Sequence, residues 1–149
     1  MLCGPGVTWE NRELAEEITA LGLPTDHLHL LGRRENIIPL LDAALILVLS
    51  SSHGEAFPVV LGESMACGTV CVTTNVGDCA AIVGDTGFVV PPRNPEAIAE
   101  ACLRVLDLDV AAIEGLRSAA RHRAQEVFAL PDVVDQYEAL YRKVALVRQ

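Results

Sequence analysis

Short apolar segments of strand length alternate with helix-length segments from Met1 to Leu106, and this alternation limits the fold more than any other feature. Strands that alternate with helices predict an α/β layer fold with a mainly parallel sheet. Right-handed crossovers then place helices on both faces of that sheet. Two further helix-length segments follow and predict a helical C-terminus.

The predicted strands are the tail Met1–Cys3 and the segments His27–Leu31, Leu45–Leu49, Val70–Thr73 and Phe88–Val90. The predicted helices are Asn11–Leu21, Ile37–Ala43, Pro58–Cys67, Cys79–Val83 (a turn or short helix), Asn94–Leu106, Val110–Val127 and Asp132–Val147. Because Leu45–Leu49 is apolar throughout, it is predicted to be buried on both faces. The chain opens on strand material, so the first strand-helix unit of a doubly wound sheet is expected to be missing.

The composition argues against several classes of protein. Hydrophobic residues make up 51% and charged residues 21% of the 149 residues, as in a globular domain. A net charge of −9 is unlike that of a nucleic-acid binder. The longest apolar runs are far shorter than a membrane span. Five cysteines without a C-x-x-C pair predict buried, reduced thiols and a cytoplasmic protein, and no metal or other cofactor is expected.

The segment Ser51–Gly68 is the main candidate for a ligand site. It follows the predicted strand Leu45–Leu49, and ligands of open α/β sheets bind beyond the carboxyl ends of the strands. Pro58 suits the first turn of a helix, since its missing N–H would have no partner there. The amides of Val59 and Val60 are then free to bind phosphate, which the helix dipole also favours.

Glu55 and Glu63 flank this helix start. Carboxylates accept hydrogen bonds from the vicinal hydroxyls of sugars. Eight residues of helix rise about 12 Å. Even with Glu55 on the loop, the separation is expected to exceed the roughly 5–9.5 Å between the paired carboxylates of a glycoside hydrolase. The spacing favours a ligand with hydroxyl groups on both sides of a phosphate, as in a nucleotide sugar. The spacing alone is also compatible with an alternative to a ligand site, in which Glu63 is a solvated helix residue and Glu55 is an ordinary loop acid.

Three segments resemble consecutive signatures of the retaining glycosyltransferases of family 4: SSHGEAFP at 51–58, ESMACG at 63–68 and GDTGFVVPP at 84–92. The sequences GPG at 4–6 and LLGR at 30–33 match in the same order. These enzymes have the GT-B architecture of two Rossmann-like domains around a cleft. The resemblance implies that residues 1–149 are part of the Rossmann-like, nucleotide-sugar-binding C-terminal domain, with 110–149 as its helical extension.

The resemblance also implies a role for each site residue. Glu55 is the catalytic residue and contacts hydroxyls of the transferred sugar, while Glu63 holds the ribose. Arg33 lies near the base, with a solvated loop arginine as the alternative. Gly77-Asp78 and Ala81 depart from the family pattern, which leaves contacts from this second loop in doubt. The whole implied donor site is Arg33, Glu55, Ala56, Phe57, Pro58, Val59, Val60 and Glu63.

The implied function is the donor-binding part of an enzyme that moves a sugar from a nucleoside-diphosphate sugar to an acceptor. The transferred sugar retains its configuration, and the chain has no obvious nucleophile. Together these imply that the leaving diphosphate helps to deprotonate the acceptor. The N-terminal acceptor domain is expected to be missing, and membrane contact is peripheral if the acceptor is a lipid. The alternatives are a truncated, non-catalytic module that self-associates and a sugar-nucleotide epimerase. The helical apolar residues Tyr137, Leu140, Tyr141 and Val144 are predicted to pack, with part of the set left exposed.

Overall fold

The computed structural model describes residues 1–146, so the predicted helix end at Val147 lies outside the described residues. The chain divides into two compact units, Met1–Ile37 and Ile38–Gln149. In the first unit, helix α1 spans Arg12–Ala20. Its N-cap is Asn11, whose side chain accepts a hydrogen bond from the amide of Leu14 at 3.4 Å. The predicted helix is therefore confirmed.

The predicted strand His27–Leu31 is wrong for most of its length. Thr25–His27 forms a single 3-10 turn, and Leu30 forms only an isolated parallel bridge with Leu2. The bridge does not extend because the chain turns at residues 4–6, where Gly6 has a left-handed φ of 74°. The predicted strand tail Met1–Cys3 is likewise reduced to this one bridge, and Leu2 is 43% exposed.

The second unit contains three parallel strands in the order β1-β2-β3. Strand bounds agree with the predictions to within about one residue, and helix bounds to within about two. Its elements are α2 Ile38–Ala43, β1 Ile46–Leu49, α3 Val59–Cys67, β2 Val70–Thr74, α4 Cys79–Val83, β3 Phe88–Val90, α5 Pro95–Leu106, α6 Val110–Val127 and α7 Leu130–Leu146.

Helices cover both faces of this sheet, which confirms the predicted fold class. On one face, buried residues of α3, α4 and α6 pack with Cys71 of β2. On the other face, Ala101 and Val105 of α5 pack against Val70 and Val72. The alternation of side chains along a strand sends neighbouring residues of β2 into the two clusters. All five residues of β2 are buried, and they form the centre of the unit.

Strand β1 is not buried on both faces as predicted. Leu47 and Leu49 pack against the cluster that contains α3, but Val48, on the opposite face, is 45% exposed. Val48 is exposed because β1 lies at one edge of the sheet, while α5, the helix on that face, covers β2 and β3. An apolar sequence alone cannot distinguish an edge strand from a central one.

The cysteine prediction is confirmed for Cys67, Cys71 and Cys79, which are buried, and is wrong for Cys3, which is exposed. Burial raises the pKa of the Cys71 thiol to about 12. The pKa of Cys67 is raised as well, first by burial and then by the charge of Asp42. These thiols are therefore protonated at neutral pH and act as apolar packing groups.

We predict that maleimide at neutral pH labels Cys3 rapidly and Cys71 only after unfolding. A thiol with a raised pKa forms the reactive thiolate only above that pKa, and Cys71 is also inaccessible. Peptide mass spectrometry of native and urea-unfolded samples measures both rates. Labelling of Cys71 as fast as that of Cys3 in the native protein would contradict the packing of β2.

Candidate functional site

The structure groups seven of the eight predicted donor-site residues, from Glu55 to Glu63, in the loop after β1 and the start of α3. The eighth, Arg33, is exposed and lies in the Met1–Ile37 unit, in the loop that follows Gly32. The loop after β1 lies at the carboxyl end of a parallel strand, where ligands of open α/β sheets bind.

Helix α3 begins one residue after the proline, so Pro58 is the N-cap and not the first helical residue. Pro58 is buried, and no side chain among the described residues caps the helix. The amide of Leu61 bonds to the Pro58 carbonyl at 3.1 Å, which leaves the amides of Val59 and Val60 at the open end. Unpaired amides and the positive end of the helix dipole together attract anions.

The other end of α3 is closed. Gly68 adopts a left-handed conformation with φ of 73° and ends the helix, and its amide donates to the Met65 carbonyl at 2.9 Å. From α6, the guanidinium of Arg121 donates to the Cys67 carbonyl at 2.9 Å. A cation at this end opposes the negative pole of the helix. The helix is thus stabilised at its C-terminus and open only at its N-terminus.

Glu55 is half-buried, and its side chain is held by its own loop. The Ser51 hydroxyl donates to Glu55 Oε1 at 2.6 Å, a short, charge-assisted hydrogen bond. The Ser51 carbonyl in turn accepts from the hydroxyl of Thr74, which is fully buried in β2, at 2.6 Å. This loop is therefore fixed to the centre of the sheet.

The loop after β2 supports the loop after β1 through direct backbone contact. A Cβ atom at Gly77 would overlap the Glu55 carbonyl oxygen and lie 2.8 Å from that of Ala56, so only glycine fits. The amide of Asp78 donates to the Ala56 carbonyl at 2.9 Å. Although Gly77-Asp78 departs from the family pattern, it retains the glycine that this contact requires.

Glu63 lies one helical turn after Val59 and is half-buried. Its carboxylate has no hydrogen-bond or ion-pair partner within residues 1–146. Glu55 to Pro58 are not helical, as expected for a glutamate that lies in the loop before the helix. The helical part from Val59 to Glu63 rises about 6 Å along the axis of α3.

An aromatic contact fixes the end of the loop, next to the start of α3. The ring of Phe57 is 47% exposed and meets the ring of Phe128 edge to face, with centroids 5.6 Å apart. Phe128 ends α6, the helix that supplies Arg121. Helix α6 therefore contacts the C-terminal end of α3 through Arg121. Through Phe128, it also contacts the loop that precedes the N-terminal end of α3.

Metal ligation has no candidate site among residues 1–146, where no cluster of three or more potential ligand side chains occurs. The Asp-x-Asp sequence at 107–109, a pattern that can bind metal, has another use here. Asp107 is the C-cap of α5, and Asp109 caps α6 by accepting from the amide of Ala112 at 2.8 Å. Within the same residues, no helix is long and apolar enough to cross a membrane.

Sequence reasoning missed Thr74 and Arg121, and it missed the supporting roles of Ser51 and Gly77, which lie in segments that it had already marked. Hydroxyl residues near strand ends and arginines on helices are too common to single these out. Gly77 lies in a loop that the motifs already marked, but the contact that requires it depends on the distance between two loops.

Comparisons with known proteins identify similar sequences. The sequence profile of the family described as glycosyl transferases group 1 matches residues 1–108. N-acetyl-alpha-D-glucosaminyl L-malate synthase of Bacillus anthracis is 33% identical over 121 residues, which are 80% of this chain and 31% of that protein. Glycogen synthase of Mycobacterium tuberculosis is 38% identical over 105 residues, 69% of this chain and 23% of the enzyme. The chain thus spans less than a third of either relative.

Solved structures show the same fold. Anabaena HepE in complex with UDP superposes with a TM-score of 0.85 at 25% identity, over 95% of this chain and 40% of that one. HepE in complex with UDP-glucose gives a TM-score of 0.81 at 27% identity, with the same coverage. Sucrose-phosphate synthase from Thermosynechococcus elongatus gives 0.81 at 30% identity, over 93% of this chain and 35% of that enzyme.

We predict that Gly77→Ala destabilises the protein by about 1–3 kcal/mol, because the left-handed backbone and the contact with Glu55 both exclude a Cβ atom. Gly115→Ala is the matched control: it lies within α6 with open space around it and is expected to stabilise by up to about 1 kcal/mol. Urea unfolding measures both free energies. Equal stability of Gly77→Ala and the unsubstituted protein would show that the two loops are not in contact.

Proposed function

The chain belongs to the glycosyl transferases group 1 family, and on this premise we propose that it forms the donor-binding part of a retaining, family 4 glycosyltransferase. It is part of the C-terminal GT-B domain, with residues 110–149 as its helical extension and an N-terminal acceptor domain in the complete enzyme. The ligand is a nucleoside-diphosphate sugar. The family is one of transferases, which favours transfer over epimerisation.

One observation carries this proposal. Two half-buried carboxylates, Glu55 in the preceding loop and Glu63 inside the helix, accompany a helix that is closed at its C-terminus and uncapped at its N-terminus. Glu55 accepts hydrogen bonds from the hydroxyls of the transferred sugar. Glu63, which lacks a partner among the described residues, accepts hydrogen bonds from the hydroxyls of the ribose. The amides of Val59 and Val60 face the diphosphate between them. The UDP and UDP-glucose complexes of HepE support this class of ligand.

The remaining residues shape the donor site. Ala56 and Phe57 lead into α3, Phe57 is held by its contact with Phe128, and Pro58 is the N-cap that fixes where α3 begins. Arg33 lies near the nucleotide base. The free amides at the start of α3 and the positive end of its dipole contribute to the stabilisation of the diphosphate.

The proposed mechanism is transfer with retention of configuration. The bond between the anomeric carbon and the diphosphate oxygen breaks, and the acceptor oxygen forms its bond on the same face of the sugar. The acceptor proton passes to the departing phosphate oxygen, so this chain need not supply a general base. Its residues position the donor and stabilise the negative charge that develops on the leaving group. The enzyme acts in the cytoplasm and touches the membrane only peripherally if its acceptor is a lipid.

We predict that the chain binds one of UDP, GDP and ADP, and that Glu63→Ala weakens this binding by about 10- to 100-fold, since hydrogen bonds to a charged group contribute about 1.5–3 kcal/mol. Calorimetric titration of the folded protein measures the affinities. Glu100→Ala removes the same charge from an exposed position on α5 and should change nothing. Equal or absent binding of all three diphosphates would refute a donor site in this chain.

A second proposal is a non-catalytic module that self-associates through α7. Leu130, Val134, Tyr137, Tyr141 and Val144 repeat with the alternating spacing of a coiled-coil seam and are 45% to 73% exposed. Acidic residues occupy the first half of the helix and basic residues the second, so two antiparallel copies bring opposite charges together. The acids are Asp132, Asp135 and Glu138, and the bases are Arg142 and Lys143.

Sedimentation equilibrium tests this second proposal. We predict a concentration-dependent dimer that Tyr141→Glu abolishes, because a buried unpaired charge opposes association. Val110→Glu is the control, since Val110 is 77% exposed but lies on α6. A protein that stays monomeric at millimolar concentration would contradict it. A dimer without diphosphate binding would favour the non-catalytic module over the enzyme.

A further inference from the structure

The hydrogen bond between Ser51 and Glu55 lies in the loop after β1, where backbone contacts already hold both residues. The Ser51 carbonyl accepts from Thr74 of β2 at 2.6 Å, and the Glu55 carbonyl packs on Gly77. The backbone of both residues is therefore held, and the direction of the Glu55 carboxylate depends on the rotamer of its side chain. A free glutamate has three rotatable side-chain bonds, and ordering it on binding would oppose affinity.

The Ser51 hydroxyl restricts that rotation. It donates to Glu55 Oε1 at 2.6 Å, and both side chains are half-buried. A carboxylate has two acceptor oxygens, and the bond to Ser51 uses a lone pair of one of them. Oε2 has no hydrogen-bond partner among residues 1–146 and is left for a ligand.

We infer that Ser51 is a positioning residue, which presents Glu55 Oε2 to a hydroxyl of the transferred sugar before the donor binds. This inference rests on the proposed function, because it needs Glu55 to contact the sugar. It also gives Ser51 a specific effect: its hydroxyl contributes to the affinity for the sugar and not to the affinity for the nucleoside diphosphate.

Calorimetry with UDP and UDP-glucose separates these two contributions. Ser51→Ala should weaken binding of UDP-glucose by about fivefold to tenfold and leave UDP within about twofold, as expected for the loss of one positioned hydrogen bond. Ser51→Thr keeps a hydroxyl and should restore the affinity. Ser51→Cys keeps the volume but donates weakly, so it should behave like Ser51→Ala if the hydrogen bond matters.

Ser52→Ala is the matched control, since the Ser52 hydroxyl contacts His53 Nδ1 at 2.7 Å and not Glu55. It should leave both affinities unchanged. Equal weakening of UDP and UDP-glucose by Ser51→Ala would indicate a merely structural serine and overturn the inference. A Ser51→Cys variant with the affinities of the unsubstituted protein would overturn it too.

A ligand-free measurement separates this inference from the proposed function. Proton couplings of the Glu55 side chain, measured by NMR, should indicate one rotamer in the unsubstituted protein and in Ser51→Thr, and averaging in Ser51→Ala. An unchanged rotamer in Ser51→Ala would overturn the positioning role whatever the chain binds. A rotamer lost in Ser51→Ala, in a protein that binds no diphosphate, would instead refute the proposed function and the sugar-directed role with it.

Discussion

The close approach of Gly77 to the backbone of Glu55 and Ala56 holds two loops in one arrangement at the carboxyl edge of the sheet. Parallel strands bring consecutive loops to the same edge, but they do not by themselves fix how the loops pack. Here a missing side chain allows backbone to touch backbone, and the amide of Asp78 adds a hydrogen bond to the Ala56 carbonyl. The position of Glu55 and the start of α3 both follow from this contact.

Helix α6 provides the second constraint, from the far side of α3. Ala120 is buried against the cluster that contains Leu61 and Met65, while Arg121 binds the last carbonyl of α3. Arg123 binds the carbonyls of Ala81 and Ile82 at the end of α4 in the same way. One helix thus stabilises the C-terminal ends of two others, and its small residues allow the close packing that brings the arginines within reach.

Much of the fold could be predicted because its signals are local. Asn94 before Pro95 marks the start of α5, and Gly68 marks the end of α3. The failures concern properties that depend on distant neighbours. Val48 has the sequence context of a buried strand, yet its exposure depends on which strands α5 covers. For the site, motifs located Glu55 and Glu63, whereas the bond from Ser51 depends on a loop conformation that no short pattern specifies.

The unequal ends of α3 have a consequence for the free energy of folding. Its C-terminus is satisfied by Gly68 and Arg121, but its N-terminus has no capping side chain among the described residues. An anion held there would take the place of the missing cap and bind only the folded chain. Ligand and fold would then be linked thermodynamically, so that the melting temperature of this domain reports on the occupancy of a single helix end.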